Sequence, residues 1–355
     1  MPSMTKSNSV FQGGWYSETN EYVVACDWTL DNKNVIAADI TGNIYSFNAE
    51  TGQPAWKQKE THSKSLLALS VNPSGRIYAT CGQDGKLDIC LAADGSLLNS
   101  NLLGNSWIDN IQWSPNGKLL AGSIGKVVHV IDSSGNQLWR SEELTSTVAA
   151  LYWSNDSELA IVSYGQVLFY DITSNNIRQK LEWKGSLISL ALSPDGNIVA
   201  CGSQDNSVHF WRRSDNTDAE MTGYPGKPKD IAFDISGQYL ATGGSAQVTV
   251  WNFKGNGPEG TVPGQLVLHN DPINCLCFAN RSSLLISGAK DGYIAMWKLD
   301  KNGDGEPIDK VFINSTPTSL RWRNDDKAIL ASSNLGQVFC WNTNPNKGVG
   351  VGFKN

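Results

Sequence analysis

Three side chains in the stretch HNDPINCLCFANRSSLLISGAKDGYIAMWKL, those of His269, Ser287 and Asp291, are the types that a hydrolase combines for acyl transfer. A hydroxyl attacks, an imidazole takes its proton and a carboxylate holds the ring. The surroundings of Ser287 argue against that use. A nucleophilic serine stands on a sharp, exposed elbow, whereas Ser287 lies inside the apolar run LLISG at 284–288, which reads as a strand. Two other constellations are partial. DKNGDGEP at 300–307 opens like an acidic calcium loop through Asp300, Asn302, Asp304 and Gly305, but Val311 stands where such a loop needs its bidentate Glu, so a turn between strands is expected. Cys275 and Cys277 place two thiols on one side of a strand, yet no second cysteine pair accompanies them and His62, His129, His209 and His269 are widely separated. Gly243 and Gly244 do not stand between a strand and a helix, so no phosphate cradle is expected. No metal, no cofactor and no enzymatic activity are expected.

Charge narrows the partners. The 355 residues include 28 basic and 34 acidic ones for a net charge of −6, which gives no general attraction to nucleic acid or to a membrane surface. The first ten residues are polar and no run of 18 apolar residues occurs, so neither an export signal nor a membrane span is expected and the chain reads as cytoplasmic. Its seven cysteines are then expected to be reduced. With 40% hydrophobic residues there is ample material for a core, and 34 glycines with 13 tryptophans suit many short strands joined by frequent turns.

Those strands recur with a period. An apolar run ending in a large residue and followed by a polar turn appears eight times, at 26–32, 69–75, 111–117, 151–157, 190–196, 231–237, 276–282 and 320–326. The last apolar residues, Trp28, Val71, Trp113, Trp153, Leu192, Phe233, Phe278 and Trp322, are 39 to 45 residues apart. Each run is followed by an alternating strand, a tight turn, a third strand such as YIAMWKL at 293–299, and a more variable fourth. Such a unit cannot bury both faces alone and must stack on its neighbours, and closing the stack in a ring gives a β-propeller. The expected fold is therefore all-β, an eight-bladed β-propeller with four antiparallel strands per blade. Unit eight ends near Trp341, so one strand is missing, and SVFQGGWYS at 9–17 has the Val, Phe, Trp and Tyr to supply it better than the Gly-rich end. The reading places an N-terminal tail at 1–8, one propeller at 9–343 and a Gly-rich tail at 344–355.

Over residues 22–341 the chain resembles the WD40 repeat family. Unit seven carries the resemblance best, with His269, Ser287, Asp291 and Trp297 matching that family's buried tetrad. The resemblance implies a structural role, Asp holding the imidazole, the imidazole bonding the hydroxyl and the hydroxyl taking the indole N–H. Unit two keeps His62, Thr80 and Asp84 but has Cys90 for Trp. Unit five keeps Asp205 and Trp211 with Cys201 and Trp183 in the other two places. Units one, three, four, six and eight are degenerate, their third strands ending in Phe47, Val130, Tyr170, Trp251 and Trp341. A second resemblance, to the tryptophan-docking repeat of quinoprotein-like propellers, rests on FNAETGQPAWK at 47–57 and DSSGNQLWR at 132–140, and implies that Trp56 and Trp139 lie on outer strands and pack on the next sheet.

The WD40 resemblance also implies where a partner would sit. Residues just before each first strand and just before each tight turn surround the channel mouth, among them Tyr22, Trp107, Lys227 and Lys290 with Gln83, Gln204 and Asn334. Trp107 is either a binding anchor or an inter-blade packing residue. The family's usual role implies a non-catalytic scaffold for other proteins, bound around the channel. The alternatives are a peptide or small-ligand receptor at the same mouth, or a quinoprotein-like propeller.

Overall fold

The structure, a computed structural model, describes residues 9–343 apart from Asn256; the expected tails at 1–8 and 344–355 lie outside the described residues. Each unit folds as it does because short β-prone runs alternate with turns that accept a left-handed backbone. After the first strand, Gly75, Gly117, Gly196 and Gly237 take φ of 67°, 69°, 71° and 71° at the same place in four units, where a Cβ would be strained. Asn32 and Asp326, at 56° and 58°, do the same in units one and eight, as the side chains that tolerate this conformation best.

Eight four-stranded antiparallel sheets result, and among the described residues there is no helix. Blade one runs through Val23–Trp28, Asn34–Asp39, Ile44–Asn48 and Pro54–Gln58; blade seven through Ile273–Phe278, Leu284–Ala289, Tyr293–Leu299 and Gly305–Phe312. Blade eight supplies Pro317–Trp322, Ala328–Ser333 and Gln337–Thr343, and its outer strand is the N-terminal Phe11–Glu18, antiparallel to Gln337–Thr343 with Phe11 opposite Thr343. The first strand in the chain thus pairs with the last and closes the ring.

The large residue ending each first strand is what joins the blades. Trp113, Trp153 and Trp322 are 5%, 4% and 5% exposed. Each indole N–H reaches back to a first-strand carbonyl of the preceding blade, of Ser70 at 3.1 Å, Gln112 at 2.9 Å and Cys277 at 3.2 Å. Apolar burial supplies most of the adhesion, and these bonds set the height at which one blade sits against the next. The outer-strand tryptophans act in the opposite direction. Trp56 donates to Ala92 O of blade two at 3.2 Å, Trp139 to Asn175 Oδ1 of blade four at 2.5 Å, and Trp15, in the closing strand, to Ala49 O of blade one at 2.8 Å. A Cβ on Gly52 would lie 2.7 Å from the Trp15 ring, so glycine there makes room for the docked indole.

Two details differ from expectation. In unit three the third-strand residue equivalent to Trp297 is Ile131, which pairs with Leu120, and not Val130, which pairs with Ala121. The loop expected over 300–307 is short, because Gly305 already pairs with Leu299. Asp300 Oδ1 accepts the backbone N–H groups of Asn302 at 2.7 Å and Asp304 at 3.1 Å, closing the turn on itself.

Candidate functional site

In blade seven, Trp297 Nε1 donates to Ser287 Oγ at 2.8 Å, His269 Nε2 stands 2.9 Å from the same oxygen, and His269 Nδ1 lies 3.3 Å from both Asp291 oxygens. Asp291 also accepts the N–H of Asn270 and of Tyr293, each at 2.9 Å. Ser287 and Trp297 are fully buried. The hydroxyl already holds an indole and an imidazole and has no face open to a substrate, so the set ties the loop before the blade to the turn and the sheet. Burial pushes the His269 pKa down, against the pull of Asp291. Asp291→Ala leaves this buried imidazole and two backbone N–H groups without their acceptor, and is expected to cost about 1–3 kcal/mol in urea unfolding, the usual penalty for such groups. An unchanged midpoint would mean that the network contributes nothing to stability.

Blade two repeats the arrangement without the indole: His62 Nδ1 is 3.0 Å from Asp84 and Nε2 is 3.0 Å from Thr80 Oγ1. Blade six, whose repeat reads as degenerate, holds a substitute. Tyr224 takes the place of His, its hydroxyl 2.8 Å from Thr242 Oγ1 and accepting Trp251 Nε1 at 2.7 Å. In blade one, Asp39 accepts the Tyr45 hydroxyl at 2.8 Å and Asn43 Nδ2 at 3.0 Å. Blade five fills the site with aromatic rings, His209 stacking on Trp183 with centroids 3.7 Å apart and meeting Trp211 edge-on at 4.3 Å. These are framework devices at one end of the blades, beneath the mouth.

The first strands line the channel, those of blades one to four each touching the next, and those of blades five to eight likewise, with blade eight touching blade one. At the level just above the terminal large residues stand Asp27, Ser70, Gln112, Tyr152, Cys277 and Arg321, all in the same register with their second strands. Arg321 is enclosed by these strands yet open to water along the channel. Three residues before the large residue Phe233, nearer the mouth, Asp230 is pushed up to about 6, by burial against the opposing charges of Arg321 and Lys229. The unfolded chain would hold that carboxyl near 3.8, so its contribution favours folding most below about pH 4 and is lost as the pH rises through 6. Asp230→Asn is expected to raise the melting temperature at about pH 7 and to leave it unchanged at about pH 4; equal shifts at both would locate the effect outside this titration.

At the mouth, backbone bonds join the two expected sets of positions. Ile40 N–H donates to Tyr22 O at 2.9 Å, Gln83 to Ser65 O at 2.9 Å, Gln204 to Ser186 O at 2.9 Å, Lys290 to Pro272 O at 3.1 Å and Asn334 to Thr316 O at 3.0 Å. Gln83 and Asn334 are half-buried; Tyr22, Lys227, Gln204 and Lys290 are exposed. Trp107, immediately before the first strand of blade three, is 58% exposed and does not pack down between blades. Two residues escaped the sequence reading, Tyr164 and Leu335, 61% and 64% exposed in the tight turns of blades four and eight. An apolar residue directly before a turn glycine, Tyr-Gly at 164–165 and Leu-Gly at 335–336, is the signal that marks them. The face thus carries aliphatic and aromatic groups on blades eight, one, three and four, and the exposed cations Lys184, Lys227, Lys229 and Lys290 on blades five to seven.

The family model described as WD domain, G-beta repeat matches residues 56–89, 177–212 and 260–298, the last spanning the complete His269, Ser287, Asp291 and Trp297 network. The chain carries WD40 repeats in these three places, within an eight-bladed β-propeller. The chain is 22% identical over 326 residues to Actin-interacting protein 1 of Caenorhabditis elegans, covering 91% of this chain and 47% of that one. It is 24% identical to the guanine nucleotide-binding protein subunit beta-1 of Nicotiana tabacum, over 78% of this chain and 80% of the relative. To protein HIR1 of Cryptococcus neoformans it is 24% identical, over 81% of this chain and 39% of the relative. The chain therefore spans less than half the length of the nematode and fungal relatives. Among solved structures, the computationally designed Ika8 protein superposes with a TM-score of 0.77 at 20% identity, over 92% of this chain and 98% of that one, a likeness of fold. WD40 propellers are typically non-catalytic scaffolds in protein–protein interactions.

Proposed function

We propose that this propeller is a non-catalytic scaffold whose protein partner sits on the face around the channel mouth, in a reducing, cytoplasmic setting. The exposure of Trp107 carries the reading: an indole held in a short loop, surrounded by small polar residues, is the kind of side chain that becomes an anchor when a partner desolvates it. Lys184, Lys227, Lys229 and Lys290 on the far side of the mouth add a cationic sector to a chain of net charge −6, which selects a partner segment pairing an apolar anchor with acidic side chains. The seven free cysteines suit the compartment.

A receptor for a small anionic ligand in the channel is the second reading, favoured by Arg321, whose Nη1 donates to the neighbouring Leu320 carbonyl at 3.0 Å while its charge faces the channel. Affinity capture from native extract separates the two. A stoichiometric protein lost with Trp107→Ala supports the scaffold; a small molecule retained by wild type and lost with Arg321→Ala supports the receptor.

A further inference from the structure

The outer strand of blade two, Leu97–Leu102, differs from the other outer strands in its chemistry. Edge strands are usually protected by charge, proline or brevity. The others follow that rule: Lys57 in blade one, Arg140 in blade three, Arg178, Lys180 and Glu182 in blade four, Asp218 and Glu220 in blade five, three residues only in blade six, Pro307, Asp309 and Lys310 in blade seven, and Glu18 in the closing strand. From Gly95 to Trp107 there is no charged residue at all. Leu97, Leu98 and Leu102 are nonetheless 58%, 51% and 66% exposed.

The order of residues is as telling as their type. Leu97 to Leu103 reads LLNSNLL, the same in both directions about Ser100. An antiparallel strand pair related by a two-fold axis at Ser100 sets Ser100 against its own copy, Asn99 against Asn101 and Leu98 against Leu102, matching like with like at every step. The backbone presents its bonds the right way for this. Leu103 N–H donates to Gly85 O, and with Leu87 opposite Asn101 and Ile89 opposite Asn99, the alternation of an antiparallel ladder turns the peptide groups of Ser100 and Leu102 away from the blade. Electrostatics point to the same occupant. Near a two-fold axis a charged edge faces its own charge, so a self-pairing edge must be neutral, and among the outer strands of four or more residues this one is.

We propose that this edge joins a second copy of the chain, the two Leu97–Leu102 strands pairing antiparallel about Ser100 into a continuous eight-stranded sheet. The occupied edge is on the rim and leaves the channel mouth open, so the dimer stands or falls independently of the scaffold reading. One strand pair is a small contact, below the roughly 1,200 Å² of a standard interface, and the association is weak and reversible, developing at about 10–500 μM.

Sedimentation velocity over that range tests it. Wild type is expected to shift from one chain towards two as concentration rises. Ser100→Pro removes an outward N–H and keeps the backbone ladder inside the blade, though it also removes the Ser100 hydroxyl bond to the buried Asp88; Leu102→Lys puts a charge against Leu98 of the other copy; each is expected to stay a single chain throughout. Ile177→Lys, on the exposed outer strand of blade four, is expected to dimerise as wild type does. Thermal melting shows which variants are folded, and Leu102→Lys decides should Ser100→Pro fail to fold. Wild type that remains one chain at every concentration overturns the proposal, as does a dimer that persists in a folded Leu102→Lys variant.

Discussion

Trp107→Ala is expected to weaken capture of the protein partner by about 2 kcal/mol or more, close to thirty-fold in dissociation constant, while shifting unfolding free energy by no more than about 0.5 kcal/mol. The two halves of that expectation come from one observation, the 58% exposure of the indole. A side chain that is mostly in water contributes little to the folded state, yet has a large apolar ring to lose to a partner. Titrating the partner against both chains, and melting the same samples, checks it. Early unfolding with normal binding would make Trp107 a packing residue and move the search to the opposite face, where the connection at 252–265 lies.

The blade count was legible because burial requires it: a unit with two apolar faces must recur at nearly constant spacing, and the 39 to 45 residue gaps between large residues preserve that requirement in the chain. The closing strand was legible for a related reason, since Phe11 and Trp15 are apolar residues near a chain end that need a sheet to cover them. The complete network of blade seven was legible through the resemblance to the WD40 repeat, whose offsets its four members keep. Tyr224 could not. A tyrosine standing for a histidine reaches the same Thr242 hydroxyl with a longer side chain, and only the folded position of the loop shows that the distances close. Blade five was hidden in the same way, since His209 enters the site from the third strand, where the repeat has no histidine. The one-residue error at Val130 arose because both Val130 and Ile131 are apolar and buried, and pairing with Leu120 alone distinguishes them.

Phe11→Ala is expected to destabilise the propeller by about 3–5 kcal/mol, the range for emptying a buried aromatic site. Phe11 is fully buried, packs among Trp322, Ile329 and Phe339, and meets Trp341 edge-on with centroids 5.6 Å apart. Its strand is also bonded to three blades. Asp309 of blade seven accepts the N–H of Val10 at 2.6 Å and of Phe11 at 3.0 Å, Gln337–Thr343 of blade eight pairs along its length, and Trp15 and Ser17 donate to the blade-one carbonyls of Ala49 and Gly52 at 2.8 and 2.6 Å. At the bulge in that pairing a Cβ on Gly14 would lie 1.9 Å from Cys340 O, so the strand also lies closer to its neighbour than any other residue allows. The ring stays closed only while this strand is seated, and loosening it exposes the edge of Gln337–Thr343 and the faces between blades seven, eight and one together. Urea unfolding followed by tryptophan fluorescence measures the loss. A cost under about 1 kcal/mol, against the 3–5 expected for a filled aromatic site, would show that backbone pairing alone holds the closure and that the Phe11 side chain is dispensable to it.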